Sequence, residues 1–221
     1  MTQIQQIINT EFTDRTPEYI FSSTNEEAPI ELTDNEKVGK IQYHFAQIME
    51  TLGLDLKDDS LKDTPKRVAK MYVKEIFSGL NPKNKPKISL FENKYGYSKM
   101  LVEKDITVYS NCEHHFVPII GKAHVAYIPG KQVIGLSKIN RIVQYFAKRP
   151  QVQERLTMEI GNALKEIFKH NDVAVVIEAD HLCVASRGVN DTCSSTVTSF
   201  FSGKFENETL KNEFLTYINK K

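Results

Sequence analysis

Apolar side chains recur every three to four residues in two N-terminal segments, which predicts two amphipathic helices. The first segment follows the capping-box pattern Thr33-Asp34-Asn35-Glu36, and Gly53 is placed to end it. Its periodic apolar positions are Val38, Ile41, Phe45, Ile48 and Leu52. The second segment begins at Thr64-Pro65, with the threonine as N-cap and the proline in the first turn, and it ends near Gly79. Its expected buried stripe comprises Val68, Met71, Tyr72, Ile76 and Leu80.

Strand-like and helix-like patterns follow one another in blocks over the rest of the chain. Runs that alternate in polarity or are rich in β-branched residues predict strands at 106–109, 121–128, 173–179, 182–187 and 195–201. Helical spacing predicts one helix over 136–149, with Ser137 as its N-cap, and a second over 152–167. The charged tail from Glu206 is expected to be helical. The order of helices, strands, two helices and strands is typical of an α+β fold with an antiparallel sheet.

The first 33 residues have a different character from the rest. Residues 1–12 carry apolar side chains at helix-like spacing, which is consistent with a short helix or a docking arm. Those side chains are Ile4, Ile7, Ile8 and Phe12. Residues 13–31 are polar, which predicts a linker or mobile arm. The sequence therefore predicts an N-terminal arm and linker over 1–33 and a folded domain over 34–221.

Composition and charge narrow the class of protein. A chain of 221 residues with 40% hydrophobic side chains suits one domain with a substantial core. The N-terminus lacks a signal-peptide pattern and no stretch is apolar enough to span a bilayer, so we expect a cytoplasmic protein without a membrane partner. The 29 Lys and Arg against 28 Asp and Glu give a net charge of +1, which argues against nucleic-acid binding driven by bulk charge. Three cysteines cannot all pair within one chain, which favours a metal-binding or catalytic use.

Two short clusters of cysteine and histidine are the most informative chemical pattern. They are Cys112-Glu113-His114-His115 and, much later, His181-Leu182-Cys183. Thiolate and neutral imidazole are the preferred ligands of zinc, and Cys112 and His115 are spaced to bind one ion. Cys183 can add a third ligand and leave a fourth position for water, as in catalytic zinc sites. A structural zinc with four protein ligands, and buried cysteines without a metal, remain alternatives at this point.

The two other histidines of these clusters, His114 and His181, are candidates for acid–base catalysis, because imidazole exchanges protons near neutral pH. Spacing alone leaves open whether one of them is the true ligand and its neighbour a structural histidine. The remaining three histidines are interpreted as structural, with His44 and His170 on helices and His124 on a strand.

Charged side chains near helix starts are candidates for nucleotide binding. The basic ones are Arg67, Lys70, Lys138, Arg141 and Arg187. A helix start offers free N–H groups to phosphate, although most such charges belong to solvated faces. Glu154, with Gln153 beside it, can accept paired hydrogen bonds from N1–H and the exocyclic amine of guanine. Most glutamates early in a helix merely favour its positive end.

With these residues laid out, the chain closely resembles the GTP cyclohydrolase I family. The resemblance is carried by NCEHHFVPIIGKAHVAYIP, VIGLSKINRIVQYFAKRPQVQERLT and VAVVIEADHLCVASRGV, followed by SSTVTSFFSG, and by the helix DTPKRVAKMYVKEIFSGL. It runs from about residue 34 to 205, and its motifs occur in the family's order. It implies the tunnelling fold (T-fold), in which antiparallel sheets join around a ring and helices pack outside. The catalytic domain over 34–221 would then have a helical part over about 34–82 and a T-fold part over about 87–221.

The resemblance also implies a role for each site residue. The zinc ligands fall on Cys112, His115 and Cys183, and the catalytic groups on His114, His181 and Ser137. The substrate-binding positions fall on Glu154 and Gln153 for guanine, and on Lys138, Arg141, Arg187, Arg67 and Lys70 for the triphosphate.

The activity that the resemblance implies is the zinc-dependent conversion of GTP and water to 7,8-dihydroneopterin triphosphate and formate, the first step of tetrahydrofolate and pterin biosynthesis. The implied assembly is a homodecamer of two pentamers with active sites between subunits. The arm has no counterpart from which a regulatory partner can be inferred.

Three rival interpretations of the cysteine–histidine clusters can be compared, and the sequence departs from the family pattern at Cys193. A pterin synthase would use three histidines on zinc, and the nitrile reductase of queuosine synthesis a catalytic cysteine, so neither fits the Cys112, His115 and Cys183 set. A non-catalytic zinc protein is the rival of a different class. Cys193 lies in a loop that departs from the family pattern and is an unassigned thiol, either inert or open to oxidation.

Overall fold

The computed structural model describes residues 32–220, and residues 1–31 of the predicted arm and linker over 1–33 lie outside them. The division between arm and domain therefore stays a prediction. The helices are α1 (Asp34–Thr51), α2 (Thr64–Met71), α3 (Leu136–Ala147), α4 (Gln153–Phe168), α5 (Leu182–Ala185) and α6 (Glu208–Asn219). The strands are β1 (Leu90–Glu92), β2 (Leu101–Cys112), β3 (Pro118–Tyr127), β4 (Gln132–Ile134), β5 (Pro150–Gln151), β6 (Val173–His181) and β7 (Thr196–Ser202).

The first predicted helix is confirmed, including both of its ends. The Thr33 hydroxyl accepts a hydrogen bond from the Glu36 N–H, and the Glu36 carboxylate accepts one from the Thr33 N–H at 2.7 Å. This reciprocal pair satisfies two backbone donors that the helix leaves free. After the helix, Gly53 has φ +81°, a conformation in which glycine avoids the steric cost of a side chain.

The second predicted helix is confirmed at its start and differs at its end. Its N-cap is Asp63 rather than Thr64, which is already helical. After Met71 the chain continues as a π-helical turn over Tyr72–Ile76. The wider turn rotates the following side chains away from the positions that a 3.6-residue period gives them, and Leu80 is 57% exposed instead of buried.

Five strands form the main sheet in the order β5-β2-β3-β6-β7. All neighbours are antiparallel except β2 and the short β5, which run parallel. A separate two-stranded sheet pairs β1 with β4. The predicted α+β class with an antiparallel sheet is confirmed.

The core lies mainly on one face of this sheet. Helices α3 and α4 pack there against the buried residues of β2, β3 and β6, and α6 covers one end of the opposite face. Beyond α6 the opposite face carries exposed apolar side chains on three different strands. These are Tyr109, Ile120 and Val197. Helices therefore cover one face and part of the other, and they leave an open apolar surface.

A predicted strand and a further predicted N-cap are also wrong. Residues 182–187 were predicted as a strand, but the chain leaves the sheet after His181 and forms the short helix α5. Pairing of β6 with β7 ends at Ala179, so the chain beyond His181 has no strand partner on that side. The N-cap of α3 is Gly135, and Ser137 lies inside the first turn.

No helix within residues 32–220 is long and apolar enough to cross a membrane.

Candidate functional site

The strand register brings the two cysteine–histidine clusters to one end of the sheet. The central strand β3 pairs with both neighbours at its start, where Pro118 lies opposite Asn111 of β2 and Ile119 opposite His181 of β6. The end of β2 and the end of β6 are thereby held side by side. On the other side of β2, Cys112 lies opposite Gln151 of β5, so the start of α4 joins the same end.

The loop between β2 and β3 places Cys112 and His115 on the same side. The Cys112 N–H donates to Val117 O, and the Phe116 N–H donates back to Cys112 O, each at 2.9 Å. Phe116 has φ +55°, which makes the loop tight. The Cys112 sulfur and Nδ1 of His115 lie 3.5 Å apart as a result.

Cys183 on α5 completes a three-residue cluster. One ligand atom from each of Cys112, His115 and Cys183 lies within 4.8 Å of the others. Burial, and then the neighbouring Cys112 thiol, raise the pKa of Cys183, since a thiolate there is poorly solvated and close to another sulfur. A bound cation would remove this penalty, because metals bind the thiolate form. Two sulfurs and one imidazole nitrogen at this separation fit a zinc-type metal.

His181 stands beside this cluster at the end of β6. Its Nε2 lies 2.7 Å from Oε1 of Gln153. Burial lowers the pKa of His181, and the carboxylates of Glu154 and Asp180 oppose that shift. Glu154 is exposed in the first turn of α4. The structure thus brings His181, Gln153 and Glu154 together at the end of the sheet that carries the cysteine–histidine cluster, and their roles stay predictions.

His114 and Arg187 also border the cluster. The His114 side chain is 67% exposed, and its Nε2 lies 3.9 Å from Oε1 of Glu113. The guanidinium of Arg187 contacts Nε2 of His115 at 2.8 Å. An ion pair between Glu113 and Arg155 also borders the cluster and was not predicted from the sequence. Glu113 follows Cys112 and Arg155 follows Glu154, so their positions beside candidate site residues could have indicated it.

Comparison with known proteins decides the family. The family model for GTP cyclohydrolase I matches residues 41–219. The chain belongs to the GTP cyclohydrolase I family. The expected tunnelling fold is confirmed with it, and the rival pterin synthase and nitrile reductase families are set aside.

Curated relatives of the GTP cyclohydrolase I family match nearly the whole chain. The GTP cyclohydrolase 1 of Flavobacterium johnsoniae is 58% identical over 216 residues, which cover 96% of this chain and 97% of the relative. The corresponding protein of Yersinia enterocolitica is 56% identical over 189 residues, 85% of this chain and 86% of the relative. That of Vibrio campbellii is 55% identical over 188 residues, 85% and 87% of the two chains.

Five residues that the GTP cyclohydrolase I resemblance assigned to the site lie on helices α2 and α3. Ser137, Lys138 and Arg141 are on α3, and Arg67 and Lys70 are on α2. Within residues 32–220, no hydrogen bond or ion pair joins any of them to the cysteine–histidine cluster. Arg141 instead lines a cavity with Gly79 and Tyr145.

The remaining thiol and the other histidines lie apart from this site. Cys193 is exposed in the loop before β7. His124 is buried, accepts a hydrogen bond from the Asp105 N–H, and has a pKa lowered by burial, as expected of a structural histidine. His170 was predicted on a helix, but α4 ends at Phe168 and His170 follows it.

Proposed function

We propose that the chain is a zinc-dependent GTP cyclohydrolase I, which converts GTP and water to 7,8-dihydroneopterin triphosphate and formate. The observation that carries this proposal is the Cys112, His115 and Cys183 cluster with His181 beside it, in a chain whose relatives bear that enzyme's name. Membership of the family alone would not test the chemistry. The juxtaposition of a metal donor set and an acid–base group supplies the parts that ring hydrolysis needs.

The proposed metal ligands are Cys112, His115 and Cys183. A soft, nitrogen-and-sulfur donor set favours zinc over magnesium or calcium, which prefer oxygen ligands. When bound, zinc would supply Lewis-acid chemistry that lowers the pKa of water to about 7 and so allows hydrolysis near neutral pH.

The protein's own side chains would bind the base and move protons. Glu154 accepts hydrogen bonds from N1–H and the exocyclic amine of guanine. His181 exchanges a proton with the imidazole ring of the base as that ring opens, and His114 assists the second hydrolysis that releases formate. Arg187 contributes positive charge for the triphosphate next to the cluster.

The proposed triphosphate-binding side chains on α2 and α3, together with Ser137, would reach the site from another subunit. An assembly would explain why, within residues 32–220 of one chain, no hydrogen bond or ion pair joins these residues to the cluster. Two surfaces support it. The open sheet face carries Tyr109, Ile120 and Val197, and a mainly apolar cavity of about 520 Å³ lies between α1 and the π-helical turn. A second copy of this chain would bury both.

The predicted assembly is a homodecamer of two pentamers. Sedimentation velocity of the purified chain should give one species near ten times the monomer mass of 25.3 kDa. A monomer that turns GTP over would contradict active sites between subunits.

The cytoplasmic location stays a prediction from the sequence, and subcellular fractionation tests it.

Glu154→Gln should weaken GTP binding by about 10- to 100-fold, because the guanine donors lose a charged acceptor. Calorimetric titration of metal-depleted protein measures the affinity without turnover. Inosine triphosphate lacks the exocyclic amine, so its affinity should fall by a smaller factor. Glu166→Gln, an exposed change on the same helix, is the control and should leave both affinities unchanged. Equal GTP affinity in wild type and Glu154→Gln would remove Glu154 from base recognition.

The overall reaction is tested by the fate of C8 of the base. With GTP labelled at C8, the label should appear as formate. Retention of the label in a nucleotide would contradict the proposal.

A further inference from the structure

Gln153 is buried and connected in a way that a substrate-binding residue would not need. Its side chain is 1% exposed, although it occupies the first position of α4 next to the exposed Glu154. Its amide nitrogen lies within hydrogen-bond distance of Ile177 O at 3.1 Å, Thr196 O at 2.9 Å and the Thr198 hydroxyl at 3.1 Å. The amide nitrogen of Gln153 is therefore hydrogen-bonded on the side that faces β6 and β7.

The partners fix which end of the amide is which. Backbone carbonyls only accept hydrogen bonds, so the atom facing Ile177 O and Thr196 O must be the NH₂ group. The amide oxygen then faces His181 at 2.7 Å. The usual ambiguity between the oxygen and nitrogen of a glutamine is removed here by the surroundings.

Neighbouring hydroxyls agree with this direction. The Thr157 hydroxyl donates to the backbone carbonyl of Gln153 at 2.8 Å, so its proton is used there. In the 2.7 Å contact between the two hydroxyls, Thr198 must therefore donate to Thr157. The Thr198 oxygen remains free to accept from the Gln153 amide. Each donor of this hydrogen-bond network has an acceptor, and the two N–H groups of the Gln153 amide are shared among three of them.

The consequence falls on His181. An amide oxygen can only accept, so Nε2 of His181 must carry a proton whenever this hydrogen bond exists. The proton that the imidazole gives or takes is then on Nδ1. We propose that Gln153 is a positioning residue, which holds the His181 ring in place and commits its Nε2 to a hydrogen bond, leaving Nδ1 for proton exchange with the substrate.

This inference rests on the proposed function, since it gives His181 a defined donor atom in that reaction. It assigns Gln153 a different role from the guanine contact implied by the family resemblance. It also separates two adjacent residues, because Glu154 faces the open site while Gln153 faces the interior.

Solid-state NMR of the full-length, zinc-loaded protein with ¹³C,¹⁵N-labelled histidine tests the tautomer directly. Comparison with His181→Ala assigns the signal, and carbon–nitrogen correlations identify which ring nitrogen is protonated. In the neutral wild-type ring the proton should be on Nε2. A proton on Nδ1 would overturn the proposal, whether or not the protein turns GTP over, so this result is independent of the proposed function.

Gln153→Met removes the acceptor and keeps similar bulk. His181 should then show both tautomers, kcat should fall about 100-fold, and zinc content should not change. The KM for GTP should change less than about threefold, because no contact with substrate is lost. A control, Gln144→Met, removes another glutamine that donates to a backbone carbonyl, Thr107 O, and should match wild type.

Two outcomes of this variant would overturn the proposal. One is a His181 ring that keeps its proton on Nε2 with an unchanged kcat. The other is a loss confined to KM, which would make Gln153 a substrate contact. If Gln153→Met fails to fold, the wild-type spectrum still decides.

Discussion

Replacement of Cys183 by serine is expected to remove the bound metal and to lower GTP turnover by more than about 100-fold, since even loss of an outer partner of a metal ligand costs 10- to 100-fold. Cys183 is the proposed ligand that joins the two clusters, because Cys112 and His115 come from the same loop. Without it, two donors from one turn must hold the ion. Serine also replaces a thiol by a hydroxyl, which ionises far less readily and binds zinc poorly.

Metal content by mass spectrometry and formate release by the same preparation measure the two effects together. Cys193→Ser is the matched control, because it removes an exposed thiol outside the cluster. It should retain full metal content and activity. A Cys183→Ser protein with no metal and full activity would contradict the metal's role. One with full metal content would remove Cys183 from the ligand set.

The metal cluster could be predicted because its chemistry is local in the sequence. A cysteine and a histidine three residues apart come close together when the chain between them forms a tight loop, and the loop between β2 and β3 does so. The meeting of Cys112 with Cys183 depends instead on β3 pairing with both β2 and β6. Such pairing is a long-range property, and the sequence analysis obtained it from the family resemblance. The short helix that carries Cys183 was mistaken for a strand, because four residues are too few to show a period.

His181→Ala should keep the metal and lose turnover by about 10²- to 10⁴-fold, the usual contribution of a positioned acid–base group. His181 stands beside the ligand cluster but is hydrogen-bonded to Gln153. Its removal takes away the proton donor for the opening ring and leaves all three proposed ligands in place. The loss should appear in kcat.

Steady-state kinetics and metal analysis on the same variant distinguish the alternatives that spacing left open. His170→Ala removes an imidazole from the segment after α4, outside the cysteine–histidine cluster, and should keep the metal and the wild-type kcat. Loss of metal in His181→Ala would make His181 a ligand. Unchanged kcat would exclude it from proton transfer.

The hydrogen-bond partner of His181 could not be predicted from the sequence. Gln153 and Glu154 are adjacent on α4, and their different environments follow from which side of the helix faces β6 and β7. Similarly, the basic residues on α2 and α3 carry the right charge, but within residues 32–220 no hydrogen bond or ion pair joins them to the cluster. Patterns of charge and spacing identify candidate groups, whereas their directions depend on the packing of the whole sheet.

The most direct test of the central proposal is a joint assay of formate and pterin from GTP by the zinc-loaded protein. Formate is measured enzymatically, and the pterin by fluorescence after oxidation. We expect equal amounts of both from GTP and neither from ATP. Formate without pterin would contradict the proposed rearrangement, and intact GTP with zinc bound would contradict the proposed function itself.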